Sequence, residues 1–154
     1  MTSTKSEYDT TVYTRGYKEH GMMNGYEYAI CTYNYTPCCY VVINRKDPFY
    51  NALTYDDISL RMHGGCTYFE GGHCFFKLRN IQSYHSSEEL KVIGWDFGHC
   101  GDWAPYIHGQ PMSNSSTIIN GKTATVWDRQ SLLKEIEEVT LQIRNLRDWK
   151  GFYE

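Results

Sequence analysis

Leu132, Ile136, Val139, Ile143 and Leu146 recur at spacings of four, three, four and three, which puts all five on one stripe of an α-helix. No helix buries such a stripe alone, so the rest of the chain must supply an apolar face for it. The pattern predicts a helix over residues 127–149. Thr125 with Asp128 fits a capping box, and Asp128 is itself the competing N-cap. Glu135, Glu137 and Glu138 come early while Arg144, Arg147 and Lys150 come late, the sense that suits the helix dipole. The charged residues of this helix read as a solvated face.

Upstream, short segments rich in β-branched and aromatic residues read as strands. Thr36-Pro37 divides a dense apolar stretch into strands over 26–33 and 38–43. Ile58, Leu60 and Met62 alternate with Ser59 and Arg61, a two-residue period that predicts a third strand over 58–62. Residues 66–70 and 74–78 flank Gly71-Gly72 as a predicted hairpin. Residues 80–89 read as a surface excursion, and 90–95 as a short buried strand. Residues 105–122 form a long loop of the kind that covers a site. The expectation is one α+β domain over 21–154, a mostly antiparallel sheet with the long C-terminal helix packed on it. Residues 1–20, rich in Thr, Ser, Lys and Glu, are expected to form a flexible arm or an irregular edge.

With 154 residues the chain can bury a core without staples. Its net charge of −3 gives no basic footprint for a nucleic-acid polymer. No apolar run approaches the roughly 20 residues needed to span a bilayer, and the opening residues lack the apolar stretch of a secretory signal. These features imply no membrane partner and a cytoplasmic location, where the six cysteines stay reduced. Cys31, Cys38, Cys39 and Cys74 read as small buried residues. The 14 tyrosines suit half-exposed strands for the most part.

Chemistry concentrates in two stretches. Met62-His63-Gly64-Gly65-Cys66-Thr67-Tyr68 and Gly94-Trp95-Asp96-Phe97-Gly98-His99-Cys100-Gly101-Asp102 each follow an expected strand, where a rigid scaffold hands over to a loop. Gly64 and Gly65 can turn backbone N–H groups toward an anion, or simply make a tight turn. Asp96, His99 and Asp102 are spaced three apart, so a carboxylate can orient an imidazole as a general base. The same residues allow a metal site of His63, His99 and one carboxylate. A plainer alternative has Asp96 and Asp102 capping turns while His99 fills a hydrogen-bonded slot. A nucleophilic Cys66 or Cys100 ranks last. His73, His85 and His108 read as surface residues. Lys77, Arg79 and Arg61 are candidates for countering a ligand's phosphate.

The order His63-Gly64-Gly65-x-Thr67-Tyr68, then Gly94-Trp95-Asp96-x-x-His99-x-Gly101-Asp102, then an amphipathic helix, resembles a family of small uncharacterised phage and prophage proteins. The resemblance covers about residues 25–146, with Pro48, Tyr50 and Tyr55-Asp56-Asp57 as a similar lead-in. It implies a setting in host cells, where small binders and small hydrolases counteract nucleotide signals. It implies no activity of its own.

The leading expectation is a protein that binds a phosphorylated, nucleotide-derived small molecule and so counters host defence. His63, Gly64 and Gly65 would meet phosphate, Asp96, His99 and Asp102 would hold ribose or the loop, and Trp95, Trp103 and Tyr68 with Thr67 would line the base. The first alternative is a phosphoesterase using His63 or His99 as acid or base and Asp96 or Asp102 as the orienting carboxylate, with or without a metal. The second is an inhibitor that contacts a host enzyme through its tyrosines. Cofactor and metal identity stay open, as does assembly into homo-oligomers.

Overall fold

A computed structural model describes residues 8–85, 89–107, 110–111, 118–119 and 122–149. Its frame is a five-stranded antiparallel sheet built from β1 (Lys18–Met23), β2 (Tyr26–Tyr33), β3 (Thr36–Ile43), β4 (Tyr68–Gly71) and β5 (Lys91–Asp96), in the order β1-β2-β3-β5-β4. Two tight hairpins set the first half. Asn24 and Gly25 (φ 53° and 86°) join β1 to β2, and Asn34 and Tyr35 (φ 46° and 69°) join β2 to β3. Consecutive positive φ values make turns whose twist matches that of the strands, which is why Asn-Gly is so strong a hairpin signal. Pro37 therefore lies inside β3 and not at the break between strands.

Helix α1 (Gly72–Arg79) covers one face of the sheet and helix α2 (Arg129–Asp148) the other. Leu132, Ile136, Val139 and Ile143 of α2 are buried with Ile30, Cys39, Val41, Ile93 and Trp95. Phe75 and Phe76 of α1 are buried with Ala29, Cys31, Tyr40, Val42 and Val92. Because both faces are covered, β2, β3 and β5 are buried over most of their length without alternation. Asp128 is the N-cap of α2, accepting from the Ser131 N–H at 3.1 Å, while Thr125 is engaged in a bridge with Asp102. Leu146, at the end of the stripe, is 48% exposed. Lys150 lies outside the described residues.

Four expectations change. Residues 58–62 pair with no strand among the described residues. Ile58 and Leu60 point inward as expected, but the Gln142 side-chain amide takes the place of a neighbouring strand. It accepts from the Arg61 N–H at 2.8 Å and donates to the Arg61 carbonyl at 2.7 Å. Residues 74–78 belong to α1 and not to a hairpin arm, because Phe75, Phe76 and Arg79 share one helical face; Asn80 ends the helix in the left-handed region. Cys74 is accordingly exposed. Residues 8–20 are no loose arm: Thr10–Tyr13 form a 3₁₀ turn that buries Val12 and Tyr13, and β1 starts at Lys18. Residues 1–7 lie outside the described part. Within the loop 105–122, the short pairs β6 (Tyr106–Ile107) with β7 (Gln110–Pro111) and β8 (Ile118–Ile119) with β9 (Lys122–Thr123) are described, and 108–109, 112–117 and 120–121 are not. No helix of the described residues is long and apolar enough to cross a membrane.

An ionic clasp ties α2 to the sheet edge. Arg129 donates to both Glu19 carboxylate oxygens at 2.8 Å, and the Tyr17 and Tyr28 hydroxyls donate to the same carboxylate at 2.7 and 3.0 Å. Burial alone would raise the Glu19 carboxyl, but Arg129 and the two hydroxyls outweigh it and hold it below its ordinary value. A carboxyl lowered on folding adds stability above its unfolded value of about 4.3 and loses it as pH falls through the lowered folded value. Thermal melts of Glu19→Gln should therefore show a loss of about 1–3 kcal/mol at pH 7. That deficit should shrink below about pH 4.3. Melting curves offset equally at all pH values would contradict the clasp.

Candidate functional site

The segment after Leu60 runs along α2 and delivers His63, whose backbone N–H donates to Glu135 Oε1 at 3.0 Å. Met62 to Gly65 then turn, with the Gly65 N–H donating to the Met62 carbonyl at 3.0 Å and φ of 71° at Gly64 and 81° at Gly65. A Cβ on Gly64 would sit 2.4–2.8 Å from His99 ring atoms. Glycine is required here because an imidazole lies against its backbone.

The second motif leaves β5 and curls. Asp96 Oδ1 accepts from the Gly98 N–H at 3.0 Å, and Asp102 Oδ2 accepts from the His99 N–H at 2.8 Å. Trp103 N–H to Thr125 carbonyl and Thr125 N–H to Gly101 carbonyl, both 2.8 Å, fasten this curl to the lead-in of α2. The fastening brings Trp127 onto the site. Its indole Nε1 donates to Asp102 Oδ1 at 3.0 Å.

Asp102 is the hub. Its side chain is 3% exposed, and its two oxygens lie 2.8 and 2.9 Å from His63 Nε2. His63 stacks on Phe97 at 5.1 Å and meets Trp127 at 4.5 Å between ring centroids. Ring orientation is thus set by a carboxylate on one edge and aromatic faces on the sides. His99 stands perpendicular to His63 with centroids 5.5 Å apart. Its Nδ1 is buried without a hydrogen bond, 3.4 Å from Asp96 Oδ1 and 3.8 Å from Asp102 Oδ2. Thr67 Oγ1 donates to Asp96 Oδ2 at 3.3 Å. His63 and His99 remain partly open, at 24% and 35% side-chain exposure.

The structure therefore gathers His63, Gly64, Thr67, Asp96, His99 and Asp102. The turn-capping bonds of Asp96 and Asp102 are present alongside the histidine contacts. Gly65 spends its N–H within the turn, so the glycine pair offers an anion less than its sequence suggests. Trp95 and Trp103 are buried in the core, at 1% and 3% exposure, and leave no open ring face on which a base could stack. Tyr68 lies on the α1 face of the sheet, against Tyr40 and Phe75. Cys66 Sγ donates to the Tyr68 carbonyl, and burial pushes its thiol up. Cys100 is exposed.

Three contributors escape a reading of the motifs. Phe97 occupies an unassigned position within the second stretch, Trp127 precedes the helix, and Glu135 belongs to the helix charges that the sequence assigns to solvent. Only Phe97 carried a signal, its place between Asp96 and His99.

One ligand atom from each of His63, His99 and Asp102 falls within 4.8 Å of the others. Two imidazoles and a carboxylate suit a divalent transition metal. In the geometry present, Asp102 already accepts from three donors, so a metal here would have to take the place of the His63–Asp102 bond. Comparison with protein-family models, with curated proteins and with solved structures finds no match.

Proposed function

We propose that this chain is a small hydrolase that cleaves a phosphoester by general acid–base catalysis, with His63 and His99 as the proton-transfer pair. The observation that carries the reading is the buried Asp102 carboxylate, held by Trp127 Nε1 and the His99 N–H and bound through both oxygens to His63 Nε2. A carboxylate so placed fixes the tautomer with the proton on Nε2, leaving Nδ1 to take a proton. The neighbouring His99 supplies the second imidazole that acid–base cleavage needs. Water oxygen would bond to phosphorus as one imidazole takes its proton. The P–O bond to the leaving alcohol would break as the other gives one up.

The nucleotide-derived substrate class and a role in countering host defence come from the phage-family resemblance. Simple sequestration of the same ligand is the second reading. Burial of Trp95 and Trp103 weakens it, because it relied on those rings for stacking. The test is incubation with a panel of cyclic dinucleotides and ADP-ribose derivatives, followed by heating and analysis of what is released. Cleaved product is expected, slowed about 10²-fold or more in His63→Ala and in His99→Ala. Quantitative recovery of intact ligand would replace hydrolysis with sequestration. No binding or turnover across the panel would remove both. Loss of turnover in chelator, restored by a divalent ion, would select the metal-assisted version.

A further inference from the structure

Arg79 closes α1 on the face of the sheet opposite α2 and His63, and among the described residues no carboxylate pairs with it. Its guanidinium carbon lies 4.2, 5.1, 5.2 and 5.5 Å from the ring centroids of Phe75, Tyr40, Tyr68 and Tyr33. One terminal nitrogen donates to the Phe75 carbonyl at 3.3 Å, while Nε is buried without a hydrogen-bond partner. Among the described residues no ion pair reaches it. Guanidinium does not give up its proton in proteins, and partial burial of such a charge without an acidic partner carries a desolvation cost. Four aromatic faces offset part of that cost, and they also hold the group in one place.

Arg79 also lines a cleft of 460 Å³ together with Arg15, Lys18, Tyr33 and Asn34. The lining carries three cations and no aspartate or glutamate, in a chain whose net charge is −3. Its wall is firmly built. Gly16, at φ 83°, turns the chain so that its N–H reaches the Thr32 carbonyl at 3.4 Å, and the Thr32 N–H donates to the Tyr17 carbonyl at 3.0 Å. Lys18 Nζ donates to the Arg79 carbonyl at 2.9 Å, joining the β1 edge to the end of α1. Tyr33, 43% exposed, keeps part of its ring open beside the guanidinium.

We infer that this cleft is a second binding site, separate from His63 and Asp102, for a small organic phosphate dianion. Arg79 would present its planar fork to the phosphate oxygens, a match that a lone ammonium cannot make. Arg15 and Lys18 would balance the second charge from the rim, and concave placement of like charges strengthens the field that draws such an anion in. This inference does not depend on the acid–base reading of the histidine pair.

The experiment is a titration of the ¹⁵N-labelled full chain with inorganic phosphate at constant ionic strength. Expected is a saturable movement of the Arg79 Nε–H signal and of the Gly16, Lys18 and Thr32 amides, with a dissociation constant of about 1 mM or tighter. Arg15 and Lys18 are both exposed, so the double variant Arg15→Ala, Lys18→Ala should keep its fold. It should weaken binding about 10-fold or more, the scale of losing a charged contact. His63→Ala should leave the titration unchanged. Movement linear in phosphate, equal movement with acetate, or indifference to the double variant would overturn the inference. So would movement confined to the signals of His63 and His99.

Discussion

Asp102→Asn is expected to lower kcat for phosphoester cleavage by about 10²–10⁴-fold, the range spanned by loss of positioned acid–base catalysis. The exchange keeps size and shape, so the loop from Gly98 to Trp103 should retain its course. What it removes is the charge shared by His63 Nε2, Trp127 Nε1 and the His99 N–H. The asparagine oxygen can serve only part of that set, and its NH₂ group turned toward His63 favours the wrong tautomer. In the proposed mechanism Asp102 acts through His63 as a positioning residue, so KM should change far less than kcat. Equal turnover in wild type and Asp102→Asn, with unchanged circular dichroism, would end the proposal that His63 is activated by this carboxylate. A loss seen only as lowered thermal stability would reduce Asp102 to a structural hub.

Ile136→Ala should destabilise the fold by about 2–5 kcal/mol, as deletion of fully buried branched side chains does. Ile136 is 0% exposed and sits mid-stripe on α2 among the residues that pack on the sheet. At this chain length the change should lower the melting temperature by about 5–15 °C. Leu146→Ala is the matched control. It belongs to the same sequence stripe but is 48% exposed, so its cost should stay within about 0.5 kcal/mol. Similar losses for the two would mean that α2 docks further along its length than the structure shows.

The contrast between Ile136 and Leu146 shows how far periodicity reaches. Spacing assigns a residue to a face of a helix, but the length of sheet beneath that face decides where burial stops. The same limit explains Ile58 and Leu60. Their alternation correctly marked the inward side chains, yet nothing in a two-residue period reveals that Gln142, 81 positions from Arg61, would stand in for a strand. Gly71-Gly72 misled for a different reason. A glycine pair admits a hairpin or a helix start equally, and the choice fell to Phe75 and Phe76 finding an uncovered sheet face. Asn24-Gly25, by contrast, carried a local signal for the β1–β2 hairpin that the polar character of the flanking residues obscured.

Within the site, local sequence determined the elements of the chemistry: two imidazoles and two carboxylates, with glycines where a ring must lie on the backbone or a turn must pass through positive φ. These are properties of residue type and of spacing over a few positions, and so they survive without knowledge of the fold. Tertiary structure alone decided how the groups pair. His63 and Asp102 are 39 residues apart, and their contact depends on β5 lying beside β3 and β4, on Thr125 fastening the curl, and on α2 bringing up Trp127 and Glu135. It also decided that Trp95 and Trp103 belong to the core, because an aromatic ring serves a pocket or an interior equally well until packing encloses it. The placement of Arg79 is of the same kind. Sequence supplied the cation, and the fold set it among aromatic faces beside Arg15 and Lys18, since only long-range packing determines which groups surround a charge.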